Sequence, residues 1–226
     1  VETVEYAAGR LVDLFGHPRQ QTVLLWHGKQ SDARAAVRPL AELVAGHGLS
    51  VVAPDWDSHA DDGGRADLLR SLQFAQERVE NPYGIVLVGW SLGGAAAAGL
   101  TLHARRHHIR VAQTVCLAGA FMAPDPLSGQ NLTPPPGPDH SPFLLLHGLA
   151  DDVVPVTASR AFAAALTQNQ WPVELVELEA DHGSIAGARY DPVADRYSAA
   201  NDPMTLDVAG EVAGRIAAVC TGSTAC

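Results

Sequence analysis

No apolar stretch in this 226-residue chain approaches the roughly 20 uncharged residues that a membrane-spanning helix needs, so no span is expected. Basic residues are scarce as well. Arg105 and Arg106 form the longest basic run, and a formal net charge of −10 argues against a surface built for nucleic acid or anionic membranes. The opening residues, with Glu2 and Glu5, lack the basic and apolar regions of a signal peptide. Only three cysteines occur, Cys116, Cys220 and Cys226, and their spacing makes neither a metal motif nor a disulfide framework. A cytoplasmic address is the expectation, with secretion and one Cys220–Cys226 disulfide as its alternative.

What is present is a repeating order of elements. Short apolar or β-branched segments recur at 22–26, 49–53, 85–88, 112–117, 143–146 and 173–178. Helical patterns lie between and after them, at 32–45, 65–79, 92–106, 157–168 and 204–219. Near-continuous apolar strands alternating with helices predict a mostly parallel sheet with helices on both faces, an α/β fold. Ahead of it, residues 2–6 and 10–15 alternate around Gly9 as an antiparallel pair at a sheet edge. The segment at about 120–142 is dense in proline, including Pro134, Pro135 and Pro136, and reads as an insertion, a loop or a small lid. The whole of 1–226 is expected to be one domain, since a chain of this length builds one core.

The stretch that carries chemistry is Gly89, Trp90, Ser91, Leu92, Gly93, entered from an apolar run and left through alanines 95–98. That order sets Ser91 on a strand-to-helix corner, where a base and a substrate can both reach its hydroxyl. The two glycines leave room for the tight turn, and the Leu92 amide, in the unpaired first helical turn, can hold an oxyanion. A second donor is expected after the early strand, where Trp26, His27, Gly28 and Lys29 follow one another; the Lys29 amide is the candidate. His27 is read as ordering that loop through a hydrogen bond rather than as a base.

The partners of Ser91 lie downstream. His147 to Pro155 follows a buried strand and contains Asp151 and Asp152, at the sheet edge where ligands of open parallel sheets gather. Asp151 is the candidate orienter of a catalytic imidazole, with Asp152 its competitor. His182 is the only histidine after Asp151, in a loop that follows the last strand, and Gly183 is expected to give that loop freedom to aim the ring. Trp56 and Trp90 are expected to line a substrate pocket.

These motifs resemble those of the α/β hydrolases of the serine esterase type, near the dienelactone hydrolase and prolyl oligopeptidase-like branches. The resemblance rests on His27 and Gly28, on Gly89 to Gly93, on His147 to Pro155 and on Asp181 to Gly183. It implies an α/β-hydrolase fold with a minimal cap or none. Ser91, Asp151 and His182 would be its triad, the Lys29 and Leu92 amides its oxyanion donors, a small-molecule ester its substrate, and no cofactor is called for. A dienelactone hydrolase proper would carry cysteine at position 91, and the short 120–142 segment replaces the larger cap of many relatives, which implies an open cleft. Thioester, lipid-ester and peptide substrates use the same machinery, and a noncatalytic small-molecule receptor on the same scaffold is the alternative from another class.

Other polar groups are given structural readings. Asp55, Asp57, His59, Asp61 and Asp62 crowd one loop without meeting a metal-ligand motif, and His103, His107 and His108 are read as a solvated helix end, so no metal site is expected. Asn131 fits a glycosylation pattern, read as accidental without a secretory signal.

Overall fold

The computed structural model describes residues 1–79, 84–137 and 140–222. Its centre is an eight-stranded sheet. The strands are β1 (Glu2–Ala7), β2 (Arg10–Phe15), β3 (Thr22–Trp26), β4 (Ser50–Pro54), β5 (Ile85–Trp90), β6 (Val111–Leu117), β7 (Phe143–Gly148) and β8 (Val173–Leu178). Their spatial order is β1-β2-β4-β3-β5-β6-β7-β8. β1 pairs antiparallel with β2, and β2 antiparallel with β4. Every later pairing is parallel, with Leu25 beside Val88, Val88 beside Val115, and Leu117 beside Leu146.

The continuous apolar strands are explained by burial on both faces. Side chains alternate across a strand, so Val86 and Val88 join one core while Ile85 and Leu87 join the other. The first core is closed by α1 (Arg38–Gly46), through Leu40, Ala41 and Val44, and by α5 (Pro203–Gly222), through Val212, Ala213 and Ile216. The second is closed by α2 (Arg65–Glu77), through Leu68 and Leu72, and by α3 (Leu92–Leu102), through Ala96, Ala97 and Leu100. A third cluster joins Ala98 and Leu102 of α3 to Phe162 and Leu166 of α4 (Val156–Gln168). Ala95 to Ala98 are all fully buried, and their small side chains let α3 lie close against the sheet.

Three differences from the sequence reading have physical causes. The first helix begins at Arg38 rather than near residue 32. Asp32 sits at φ 51°, and the Ala33 and Arg34 amides are drawn to His27 Nε2 (3.4 Å) and Asp55 Oδ1 (2.9 Å), so the chain spends those donors outside a helix. The third helix ends at Leu102, where His103 leaves helical geometry, and a 3₁₀ turn over Ala104–His107 follows. After β8 an unexpected two-stranded hairpin, β9 (Ala188–Asp191) and β10 (Arg196–Ala199), precedes α5.

The described part of the proline-rich segment contains neither helix nor strand, and side chains pin it. Asp125 accepts from the Leu127 and Ser128 amides, Phe121 stacks on Phe162 at 4.2 Å, and the Trp171 indole donates to the Pro135 carbonyl at 2.8 Å. The acidic loop after β4 is likewise occupied. Asp55 pairs with Arg34, Asp57 with Arg10, and the Asp62 carboxylate accepts from the Gly64 and Ala66 amides at the start of α2. Burial holds the Asp55 carboxyl above its ordinary range despite the Arg34 partner. Cys116 and Cys220 are free buried thiols, and Cys226 lies outside the described residues. Among the described residues no helix is long and apolar enough to cross a membrane.

Candidate active site

Four loops meet at the carboxyl edge of the parallel strands, and each is built around one residue of the candidate site. Ser91 follows β5 directly and has φ 56° and ψ −118°, a conformation that costs a non-glycine residue about 1–3 kcal/mol and persists only when its surroundings enforce it. Here they do. A side chain at Gly89 would collide with the Gly93 carbonyl, and one at Gly93 with the carbonyls of Trp26 and His27, so both glycines supply space for α3 to begin against β3 and β5. The Ser91 amide donates to the Leu117 carbonyl at 2.9 Å, and the Ser91 carbonyl accepts from Gly94, Ala95 and Ala120. The backbone of the corner is thereby fixed on several sides.

The early loop lies against this corner. A Cβ placed at Gly28 would stand 3.1 Å from Ser91 Cβ and 3.6 Å from Ser91 Oγ, so the loop backbone passes within contact distance of the serine. His27 shapes it. Its Nδ1–H donates to the Gly28 carbonyl at 2.8 Å, and its Nε2 accepts from the Trp56 amide at 3.2 Å. Full burial pushes His27 down to about 4, which keeps the ring neutral and able to accept. The Gln30 amide donates to the Gly28 carbonyl at 2.8 Å in a tight turn. Among the described residues neither the Lys29 amide nor the Leu92 amide has a hydrogen-bond partner, and the Lys29 side chain is exposed.

The acid loop follows β7. Asp151 Oδ1 accepts from the Val153 and Val154 amides at 2.9 and 2.8 Å, while Oδ2 lies 2.8 Å from His182 Nδ1. Its side chain is wholly buried. Burial alone raises a carboxyl pKa, but the hydrogen bonds from His147, His182 and the Val154 amide outweigh it and hold Asp151 well below the usual carboxylate range. His147 is a contributor that sequence reasoning missed. Fully buried at the end of β7, it donates from Nε2 to the Val154 carbonyl at 2.8 Å, approaches Asp151 Oδ2 at 3.4 Å, and accepts at Nδ1 from Ser159 Oγ at 2.7 Å. Asp152, the competing acid, is exposed.

The histidine loop follows β8. Asp181 Oδ1 accepts from the Gly183 and Ser184 amides at 2.9 and 2.7 Å, and the Trp90 indole donates to the His182 carbonyl at 2.7 Å. The residue next to Ser91 therefore carries the loop of His182. Gly183 has φ −85°, open to any residue, so conformational freedom is not what glycine provides there. It provides room, because a Cβ would press on the Ala188 carbonyl at 2.6 Å and on Tyr197 Cε1 at 3.1 Å.

The two tryptophans are placed differently from the expectation that they line a pocket. Trp56 has no exposed surface and donates from its indole to the His27 carbonyl at 3.1 Å; Trp90 is 2% exposed. A buried indole needs an acceptor, and both find one in a loop carbonyl, so they support the site from behind. The aromatic residues at the surface are instead Tyr190 and Tyr197 of the hairpin. They are cross-strand neighbours 5.2 Å apart, and the Tyr197 ring meets Trp90 edge-on at 4.9 Å and His182 at 5.8 Å. The Asp191-Pro192 dipeptide, a turn signal between two tyrosine-bearing segments, is the sequence feature that could have revealed this hairpin.

A serine at a strained strand-to-helix corner, with a buried aspartate–histidine pair on later loops of a doubly covered sheet, defines a class of protein. The model of the alpha/beta hydrolase family matches residues 23–219, and the chain belongs to that family. Solved structures similar to it include Thermogutta terrifontis esterase 2 in its apo form and phosphorylated by paraoxon, each at 22% identity and TM-score 0.70, covering 95% of this chain and 94% of the other. The butyrate-bound structure of that thermophilic esterase aligns over the same shares at 21% identity and TM-score 0.66. A comparison with curated protein sequences found no match.

Proposed function

We propose that this chain is a serine hydrolase of carboxylic esters, with Ser91 as nucleophile, His182 as general base and acid, and Asp151 as the group that orients the imidazole. The observation that carries the reading is the 2.8 Å bond between His182 Nδ1 and the buried Asp151 carboxylate, on loops braced against the Ser91 corner. With Nδ1–H donated to Asp151, the free lone pair of His182 is on Nε2, the atom that takes the serine proton.

The steps use only groups of this chain, an ester and water. Ser91 Oγ attacks the carbonyl carbon as its proton passes to Nε2, and the oxygen that becomes negative is received by the Lys29 and Leu92 amides, whose hydrogen bonds are unspent. The protonated imidazole, stabilised by Asp151, gives that proton to the departing alcohol, leaving an acyl group on Ser91. Water, deprotonated by the same nitrogen, then releases the acid and restores the serine. The similarity to structures described as esterases accords with this choice among hydrolase chemistries.

Turnover of a short p-nitrophenyl ester tests the proposal. Ser91→Ala is expected to lower kcat by roughly 10⁶ with an unchanged circular dichroism spectrum, and retained turnover would rule the assignment out. The receptor alternative predicts ester binding with no turnover in the unaltered chain.

A further inference from the structure

The hairpin β9–β10 has no part in the steps above, yet it is tied to the site at three points. The Gln30 side chain, one residue beyond Lys29, bonds both backbone groups of Tyr197, accepting from its amide at 2.6 Å and donating to its carbonyl at 3.3 Å. The Tyr197 ring contacts Trp90 and His182, and Gly183 is small where it passes that ring. Between the hairpin and the acid loop lies an open cavity of about 800 Å³, lined by His182, Asp152, Val153, Arg189, Tyr190 and Tyr197 among others.

Which half of an ester this cavity meets follows from the chemistry. His182 must protonate the leaving oxygen, so the alcohol portion departs on the histidine's side. Resting on the proposed hydrolase function, we infer that this cavity is the alcohol subsite, and that it takes a bulky alcohol group without negative charge, packed against Tyr190 and Tyr197. The tyrosine pair offers apolar ring faces, and the Tyr197 hydroxyl has no hydrogen-bond partner among the described residues, which leaves it to donate to a substrate oxygen. Burial, with Asp151, Asp152 and Asp181 nearby, pushes that phenol up to about 12, so it stays protonated.

Charge sets the second part of the selectivity. Two carboxylates, Asp152 and Asp181, line the cavity beside one arginine, Arg189. An alcohol group bearing a carboxylate therefore meets a lining in which acids outnumber arginines two to one.

The test is kcat/KM for ethyl acetate, 2-phenylethyl acetate and the para-carboxylate of the latter. The unaltered protein is expected to favour 2-phenylethyl over ethyl acetate by roughly tenfold or more, and this ratio to collapse in Tyr197→Ala. Tyr190→Ala, at a ring 46% exposed and so with little core to lose, is expected to lower the ratio too. The carboxylate ester is expected to be the poorer aromatic substrate, with the gap narrowed in Asp152→Asn. Ratios unchanged in both tyrosine variants would overturn the subsite, and a carboxylate ester cleaved as well as its neutral parent would overturn its charge preference. Turnover without discrimination defeats this inference and leaves the hydrolase reading standing, whereas absence of both turnover and fluorophosphonate labelling defeats both.

Discussion

Trp90 donates a 2.7 Å hydrogen bond from its indole to the backbone carbonyl of His182, 92 residues away in sequence. Because Trp90 precedes Ser91 directly, this side chain ties the backbone of the proposed base to the corner that carries the proposed nucleophile. Trp90→Phe keeps an aromatic ring beneath the loop and removes the bond. A buried hydrogen bond of this kind is worth about 1 kcal/mol, and with imidazole misplacement added, kcat/KM for a short ester is expected to fall roughly 10- to 100-fold. Steady-state kinetics with thermal unfolding as a control checks this, since a purely structural role lowers Tm and leaves the rate of the folded enzyme unchanged.

Gly28 and Gly93 are predicted to fail in different ways when changed to alanine. At Gly93 the new methyl would overlap the backbone carbonyls of Trp26 and His27, which no side-chain movement relieves, so a loss of several kcal/mol is expected. At Gly28 the nearest atom is Ser91 Cβ at 3.1 Å, a contact that a small loop shift accommodates. The expected outcome is a folded Gly28→Ala protein with reduced kcat and a Gly93→Ala protein that is unfolded or insoluble, measured by denaturant titration and ester turnover.

His147→Leu should be costly although His147 lies outside the proposed triad. The change leaves the Val154 carbonyl and the Ser159 hydroxyl without the partners they have at 2.8 and 2.7 Å. Each abandoned buried group costs about 1–3 kcal/mol, and about 2–4 °C of Tm follows per kcal/mol for a chain of this size. Calorimetry is expected to show a fall of at least about 5 °C; an unchanged Tm would mean that the network contributes nothing.

How much of this was readable from the chain depends on how local each feature is. β3 begins and ends where its apolar run does, at Thr22–Trp26, because a strand buried on both faces leaves an unbroken hydrophobic trace. The Gly89 to Gly93 corner was equally legible, since its spacing is a steric requirement of the turn itself. The late start of α1 was not, because it depends on Asp55 and His27 drawing amides across space. The hairpin strands have four residues each and mostly exposed side chains, so they leave no hydrophobic period to detect. His147 and the buried indoles take their meaning from partners whose proximity only the fold creates.

Stability should fall on mild acidification through His27. Burial lowers its pKa from an ordinary 6.5 to about 4, so below pH 6.5 the unfolded chain binds the proton that the folded chain refuses. The unfolded state then holds more protons, and stability rises with pH between about 4 and 6.5, by up to about 3 kcal/mol across that window. His107, also lowered by burial, adds in the same direction. The depressed carboxyl groups of Asp13 and Asp151 act at still lower pH, where their protonation removes stability. Urea unfolding at pH 6.5 and 4.5 is expected to show a smaller pH-dependent loss in His27→Asn than in the unaltered protein, and equal losses in the two would contradict the assignment.

The most direct measurement is to react the protein with a fluorophosphonate and locate the adduct by peptide mass spectrometry. One adduct is expected, on Ser91, formed at least roughly 10³ times more slowly in His182→Ala. Labelling at another residue, or labelling of Ser91 that is indifferent to His182, would contradict it.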